Sequence, residues 1–311
     1  MSGEIALTPA KRREGLLWRM RRMTWKGQRI DWDAYLYLLP FYLPFFVFTV
    51  VAILFGAHVS LTKWKIIGPP EWVGLANFQR AFNDSFVPTV WLNTFQFALI
   101  VVPGVTILAL VFAVFVNERR RGFVFARLAF YAPRVVSVTV IGLVWVWMLD
   151  TRFGLVNQYL GRFGVPDIPW LTNPDWVLYG VGIATIWWDM GFFMVILLAA
   201  LQDVPNELRE ASAIDGASGL QIFWNVVVPH LRPALSLVIT LEVIAAFRVF
   251  SQLYIMTQGG PANASTSIIF YIYSTGFRNR DLGYASALSM LLFLTILVMT
   301  LIQLRLIRER T

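Results

Sequence analysis

The sequence contains no cysteine, only two histidines and few charged residues, which make up 14% of its 311 positions. The absence of cysteine excludes disulfides, thiolate metal sites and a cysteine nucleophile. The two histidines, His58 and His230, are too far apart in the sequence to indicate a shared metal site. No motif places a nucleophile beside a general base. We therefore expect neither a catalytic residue nor a metal site in this chain.

Hydrophobic residues make up 58% of the chain and form long blocks, whereas soluble proteins carry about 25% charged residues in shorter patterns. A block of about 20 apolar residues at 1.5 Å per residue crosses the roughly 30 Å of membrane hydrocarbon. The alternative, a soluble helical bundle, would have to bury every block in one core, which a chain of this size cannot do. The sequence therefore predicts an all-α integral membrane protein with about six transmembrane helices, at 35–58, 93–117, 124–149, 177–200, 233–256 and 284–304.

The distribution of lysine and arginine predicts the orientation of these spans. Basic residues are more than twice as numerous on the side that holds both termini, so both termini are expected in the cytoplasm. Membrane topology thus accounts for the net charge of +8, and nucleic acid is not an expected partner. Residues 1–34 form a basic cytoplasmic segment, which either anchors the orientation or lies on the anionic leaflet of the bilayer. Residues 35–311 form the transmembrane domain.

The long cytoplasmic connection at 203–233, between spans four and five, has a pattern of its own. Pro205 and an acidic residue mark a helix start, and small apolar residues then recur at three-residue spacing up to Gly216. A second apolar run, 222–228, ends at Pro229. The pattern predicts a helix–turn–helix at the membrane surface. It is either a docking surface for another protein or a plain amphipathic loop.

This connection resembles the EAA loop of binding-protein-dependent ABC importer permeases. The run EASAIDG at 210–216, nine further residues and VVVP at 226–229 match the spacing of that loop, with a serine in place of the second alanine and valines in place of isoleucine and leucine. In the family, the loop is a coupling helix that seats in a cleft of an ATPase. The residues that this resemblance assigns to coupling are Glu210, Ala211, Ala213, Asp215, Gly216 and Pro229.

A second resemblance narrows the group. The run TQGGP at 257–261, together with Pro133 and FGLVN at 153–157, is similar to the sugar-type permeases of the maltose and glycerol-phosphate uptake group. The likeness covers about 35–305, and the Gly-Gly-Pro segment resembles the first of the two paired permeases.

The resemblance implies a permease subunit that imports a sugar or related polyol by alternating access through the cytoplasmic membrane of a bacterium or archaeon. The implied partners are a second permease, two ATPase subunits that hold ATP and Mg²⁺, and an external solute-binding protein. No Gly-x-x-x-x-Gly-Lys-Ser/Thr phosphate loop occurs in the sequence, so this chain is expected to bind no cofactor. The alternatives are a self-sufficient channel or secondary carrier, for which the 203–233 loop has no use, and an integral membrane enzyme.

Two carboxylates fall inside predicted spans, where each costs roughly 2.5–3.5 kcal/mol on insertion scales. Asp189 lies near the middle of span four and Glu242 near the middle of span five. Carboxylates bind hydroxyls and an aromatic ring stacks on a sugar, so these faces predict a solute pathway. Alternatively, each carboxylate pairs with an arginine such as Arg248 or with backbone donors. The predicted pathway residues are Thr185, Trp188, Asp189, Phe192, Glu242, Ala246 and Val249.

Overall fold

The computed structural model describes residues 22–25, 28–65, 67–117 and 122–308. The chain divides into two units, of which the first ends at His58 and the second begins at Val59. In the first unit, strand β1 (Arg22–Trp25) pairs antiparallel with β2 (Gln28–Asp31). Helix α1 (Trp32–Phe45) then continues through a π-helical turn, Phe46–Val51, into α2 (Ala52–Ser60). Most of the predicted basic segment 1–34 lies outside the described residues.

The second unit is helical apart from one short hairpin. Its strands are β3 (Thr62–Lys63) and β4 (Glu71–Trp72). Its helices are α3 (Ala76–Asn83), α4 (Val87–Phe115), α5 (Phe123–Val135), α6 (Val138–Met148), α7 (Leu155–Gly161), α8 (Val177–Gln202), α9 (Asn206–Ile214), α10 (Gly219–Ile222), α11 (Val228–Phe247), α12 (Ser251–Met256), α13 (Ile268–Tyr273) and α14 (Leu282–Arg308). Two further π-helical turns, Phe223–Val227 and Ser274–Arg278, follow α10 and α13.

Among the described residues, five segments are long and apolar enough to cross a membrane: Leu36–Ser60, Val87–Phe115, Val177–Gln202, Gly219–Phe247 and Leu282–Arg305. Helices α5 and α6 meet at an angle of 100° and together meet the same test, which makes six spans if the pair is counted as one broken span. The prediction of about six transmembrane helices is therefore confirmed. The third span is broken near Pro133, which lies in the last turn of α5.

The predicted bounds of the fifth span, 233–256, are wrong. The span runs without a sharp bend from Gly219 to Phe247, so the second half of the predicted 203–233 loop belongs to the membrane helix. Pro229 does not end the helix, because it lies in the first turn of α11, directly after a π-helical turn. The helix ends instead at Phe247, with no proline or glycine to mark the break.

Helices α4 and α8 pack along their length and form the centre of the second unit. Along α4, Val101, Val105, Ala109 and Ala113 recur every fourth residue and are fully or almost fully buried. On the other side of α8, Gly191 lies directly against the backbone of α5: a Cβ at this position would stand 1.9 Å from the carbonyl oxygen of Phe130. The close approach of α5 to α8 therefore requires a glycine here.

We predict that Gly191→Ala separates α5 from α8, because a backbone carbonyl cannot move aside as a side chain can. The expected result is a loss of stability of about 1–3 kcal/mol, measured as a lower midpoint of thermal unfolding in detergent. Gly161→Ala is the matched control, because a Cβ at this helical glycine meets nothing within 4 Å. Equal midpoints for the two variants would contradict the close packing of α5 on α8.

A polar cluster joins α3, α4, α13 and α14 on the side predicted to face outside. Asp84 accepts hydrogen bonds through Oδ2 from the hydroxyls of Tyr271 (2.6 Å) and Tyr284 (2.7 Å). Arg80 lies 3.9 Å from the centre of the Tyr284 ring and pairs with Asp281 at 2.7 Å. Burial opposes ionisation of Asp84, but the tyrosine hydroxyls, a backbone amide and Arg80 outweigh it, so the pKa of Asp84 is lowered.

We predict that Asp84→Ala lowers the unfolding midpoint, because both tyrosine hydroxyls lose their acceptor. Hydrogen bonds to a charged group contribute about 1.5–3 kcal/mol. Because the pKa of Asp84 is lowered in the folded state, its carboxylate stabilises the protein at pH values above the ordinary pKa of 3.8. This stabilisation is lost as the pH falls through the lowered pKa. The difference between wild type and variant should therefore shrink below about pH 4.

Asp175→Ala serves as the control for this experiment. Asp175 is an exposed aspartate on the same predicted side, and its carboxylate has no hydrogen bond or ion pair in the described part of the chain. An Asp84→Ala midpoint that matched this control at neutral pH would show that the cluster contributes nothing to stability.

Candidate functional site

A cavity of about 280 Å³ opens between α4, α8, α11 and α12, with the end of α5 beside it. Six of the seven predicted pathway residues line it: Thr185, Trp188, Asp189, Glu242, Ala246 and Val249. The seventh, Phe192, is not part of the lining, although its ring centre lies 5.7 Å from the guanidinium carbon of Arg134 at the edge of the cavity. The residues that were selected by their spacing along two separate predicted spans therefore line one common cavity.

Asp189 forms an ion pair with Arg134, with 2.8 Å between Oδ1 and Nη1. The guanidinium also lies over the ring of Trp188, 4.2 Å from its centre. The indole of Trp188 donates its N–H to the carbonyl oxygen of Val136 at 3.3 Å. Arg134 lies in the last turn of α5 and Val136 directly follows it, so the end of α5 brings both groups to α8. The alternative of an arginine partner holds for Asp189, but the partner is Arg134 rather than Arg248.

Glu242 is the most deeply buried charged residue of the site, with 1% of its surface exposed. Its Oε1 atom has no hydrogen-bond partner among the described residues. Among the described residues no ion pair reaches Glu242, because the guanidinium of Arg134 pairs with Asp189. A buried acceptor left without a donor costs about 1–3 kcal/mol. The site therefore retains one acceptor that a hydroxyl of a solute can satisfy.

The break between α11 and α12 supplies the other rim of the cavity. This side of the cavity is lined by Arg248, Ser251 and Gln252. The exposed guanidinium of Arg248 is a second cation at the site. The hydroxyl of Ser267 donates to the carbonyl oxygen of Val249 at 2.8 Å, so a backbone group released by the break is paired. Broken helices of this kind line solute sites within membranes because their free backbone groups can be satisfied there.

The Gly-Gly-Pro segment lies against α4 and holds this break in place. The side-chain amide of Asn93 donates to the carbonyl oxygens of Asn263 at 3.0 Å and Thr266 at 3.2 Å. The backbone N–H of Ile268 donates to the hydroxyl of Thr94 at 3.0 Å. The chain that leaves the Gly-Gly-Pro turn is therefore fixed to span two immediately beside Ser267.

The predicted coupling residues form one exposed surface on α9 and the turn after it. Glu210, Ala211, Ala213, Asp215 and Gly216 are all exposed, and Pro229 is half-buried some distance along the chain. Gly216 adopts a φ of +82°, which ends the helix in a left-handed cap where a side chain would be strained. Ile214, at the end of α9, leaves 86% of its surface exposed. This short helix and its turn therefore present small side chains, acidic groups and exposed apolar side chains at their surface.

Several lining residues were missed by the analysis of the sequence. Phe97 and Val101 of α4 line the cavity from the side and carry no polar signal. Arg134 did carry a signal, because an arginine next to a proline inside an apolar block requires a partner. Ser251 and Gln252 were missed because the predicted bounds of span five, 233–256, placed them inside a continuous helix.

Comparison with known proteins gives consistent relatives. The family model described as "Binding-protein-dependent transport system inner membrane component" matches residues 34–310. The trehalose/maltose transport system permease protein MalF of Thermococcus litoralis is 34% identical, over 89% of this chain and 94% of its own length. The sulfoquinovosyl glycerol transport system permease protein SmoG of Agrobacterium fabrum is 31% identical, over 85% of both chains. The arabinooligosaccharides transport system permease protein AraP of Halalkalibacterium halodurans is 32% identical, over 87% of this chain and 86% of its own.

The fold also matches a solved structure. A chain from a bacterial ABC transporter involved in the import of the acidic polysaccharide alginate superposes with a TM-score of 0.78 at 22% identity. The match covers 90% of this chain and 96% of the other. At this identity the likeness establishes the fold.

Proposed function

The chain belongs to the family of binding-protein-dependent transport system inner membrane components, and we propose that it forms the pathway through which an ATP-driven importer moves a sugar or related polyol into the cell. It is a multi-pass membrane permease, and its relatives are permease proteins of sugar transport systems. These relatives do not favour the alternative of a self-sufficient channel or secondary carrier.

The observation that carries the proposal is the cavity around Glu242. It combines an unpaired carboxyl oxygen, an aromatic face at Trp188 and two guanidinium groups within one pocket. Hydroxyl groups both donate and accept hydrogen bonds, so a sugar can satisfy the oxygen of Glu242 and also contact a guanidinium group. An apolar solute would leave the oxygen of Glu242 unpaired, which is a strong basis for rejection.

We further propose the partners that such a pathway requires. A second permease completes the channel, two ATPase subunits hold ATP and Mg²⁺, and an external solute-binding protein delivers the sugar. The solved alginate transporter was crystallised with its pentasaccharide-bound periplasmic protein, which supports a partner of this kind. The coupling surface on α9 docks on an ATPase, and the membrane is the cytoplasmic (inner) membrane of a bacterium or archaeon. The Gly-Gly-Pro segment supports a place as the first of the two paired permeases.

The first test replaces the two buried carboxylates in the assembled complex. Glu242→Gln replaces the carboxyl group that is left unpaired, and Asp189→Asn leaves Arg134 without its counter-ion. We expect each change to lower the rate of uptake by roughly tenfold or more, since a hydrogen bond to a charged group contributes about 1.5–3 kcal/mol. Uptake and substrate-stimulated ATP hydrolysis are measured in proteoliposomes.

Glu71→Gln is the control for this test, because Glu71 is an exposed glutamate in β4, outside the membrane spans. The assignment of the pathway is wrong if both carboxylate variants transport and stimulate hydrolysis as the wild type does.

The second test reverses the charge of Glu210 on α9. If Glu210 pairs with a basic residue of an ATPase, Glu210→Lys places like charges together. We then expect the tagged permease either to lose the ATPase during purification or to retain it with hydrolysis uncoupled from uptake. The same reversal at Glu71, on the other predicted side of the membrane, should change neither. Normal capture and coupling by Glu210→Lys would remove Glu210 from the docking surface.

A further inference from the structure

Arg209 differs from its neighbours on α9 because its side chain turns back toward the membrane helices. Glu210 and Ala211 are exposed, whereas Arg209 is half-buried and its Nε is fully enclosed without a hydrogen-bond partner among the described residues. Its Nη2 donates to the carbonyl oxygen of Leu201 at 3.2 Å. The residue therefore joins α9 to the last turn of α8.

The local sequence explains why Leu201 needs this donor. In a continuing helix, its carbonyl oxygen would accept from the backbone N–H four residues later, but that position is Pro205, which has none. Carbonyl groups in the last turn of a helix must find partners outside it. Arg209 supplies the donor, and its positive charge also suits the negative end of the α8 dipole.

The guanidinium lies where three membrane helices end. A cavity of about 360 Å³ around it is lined by Val114 and Asn117 at the end of α4, by Leu201 of α8, and by residues at the start of the fifth span, namely Gly219, Leu220, Ile222, Phe223 and Val227. Only three residues, 203–205, separate α8 from α9, and Val204 among them is buried. A displacement of α9 therefore acts directly on this junction.

We infer that Arg209 is the positioning residue that fixes the docking helix α9 to span four, so that movement of α9 is passed to the solute cavity. Helix α8 is continuous from Gln202 back to Asp189, a distance of about 20 Å at 1.5 Å per residue. The same helix carries Thr185 and Trp188 of the cavity lining. This inference rests on the proposed function, because it assigns Arg209 a part in the coupling of hydrolysis to uptake.

Arg127 provides a matched control. Its Nε and Nη2 donate to the carbonyl oxygen of Val116, just after the end of α4, at 3.2 and 2.7 Å. It therefore satisfies a helix-terminal carbonyl as Arg209 does, but from α5 rather than from α9. A purely structural role predicts that loss of either arginine has the same consequences.

The experiment compares Arg209→Met, Arg209→Lys and Arg127→Met in the complete complex in proteoliposomes and measures solute taken up per ATP hydrolysed. We expect Arg209→Met to retain its ATPase subunits and basal hydrolysis, while uptake per ATP falls roughly tenfold. Arg209→Lys keeps a donor for Leu201, so we expect it to retain part of the uptake per ATP that Arg209→Met loses. The lysine variant also tests the inference if the methionine variant does not fold. Arg127→Met should lower the unfolding midpoint and leave the ratio unchanged.

The inference is overturned if Arg209→Met transports as much solute per ATP as the wild type. It is equally overturned if Arg127→Met lowers the ratio to the same extent, because both arginines then act only as structural caps. Failure of the proposed function is a separate result: the wild-type chain would capture no ATPase and show no ATP-dependent uptake, and the inference would fall with it.

Discussion

In membrane hydrocarbon, a backbone carbonyl without a hydrogen bond costs several kcal/mol, because no water is present to replace the lost partner. This chain breaks or ends its helices at several points, and a side chain from elsewhere pairs with the released carbonyl at some of them. Four examples are Trp188, which donates to Val136, Ser267 to Val249, Arg209 to Leu201 and Arg127 to Val116. These bonds add to the apolar packing that holds the spans together.

Two of the four bonds build the solute cavity. The end of α5 places Arg134 beside Asp189 and offers the carbonyl of Val136 to Trp188, so one segment accounts for the cation and for the orientation of the indole. The break after α11 exposes Arg248 to the cavity and is closed by Ser267. Glu242 lies on the unbroken part of α11, and its Oε1 atom has no partner among the described residues.

The sequence was sufficient for the approximate number of spans and for six residues of the cavity lining, because each rests on a local signal. A carboxylate inside an apolar block is such a signal, and helical spacing then identifies the residues on its face. The partner of Asp189 was not predictable in this way, since Arg134 reaches it only through the packing of α5 on α8. The coupling role of α9 stays a prediction.

The predicted bounds of span five were wrong for a related reason. Pro229 and Pro233 look like helix ends in the sequence, but the first follows a π-helical turn and the helix continues through the second. The true end at Phe247 depends on Ser267 and on the attachment of the following loop to Asn93, both of which are distant in the sequence. A break that depends on distant donors carries no local signal.

The bond between Arg209 and Leu201 shows how the same constraint can serve movement. The connection of three residues between α8 and α9 leaves the angle between the two helices free. The buried side chain of Val204 fixes the position of this connection but not the direction of α9. A hydrogen bond to a carbonyl is directional, so it restricts that angle as well. Because Pro205 removes the competing backbone donor, this carbonyl is left to Arg209, and the bond fixes the direction of α9 relative to α8.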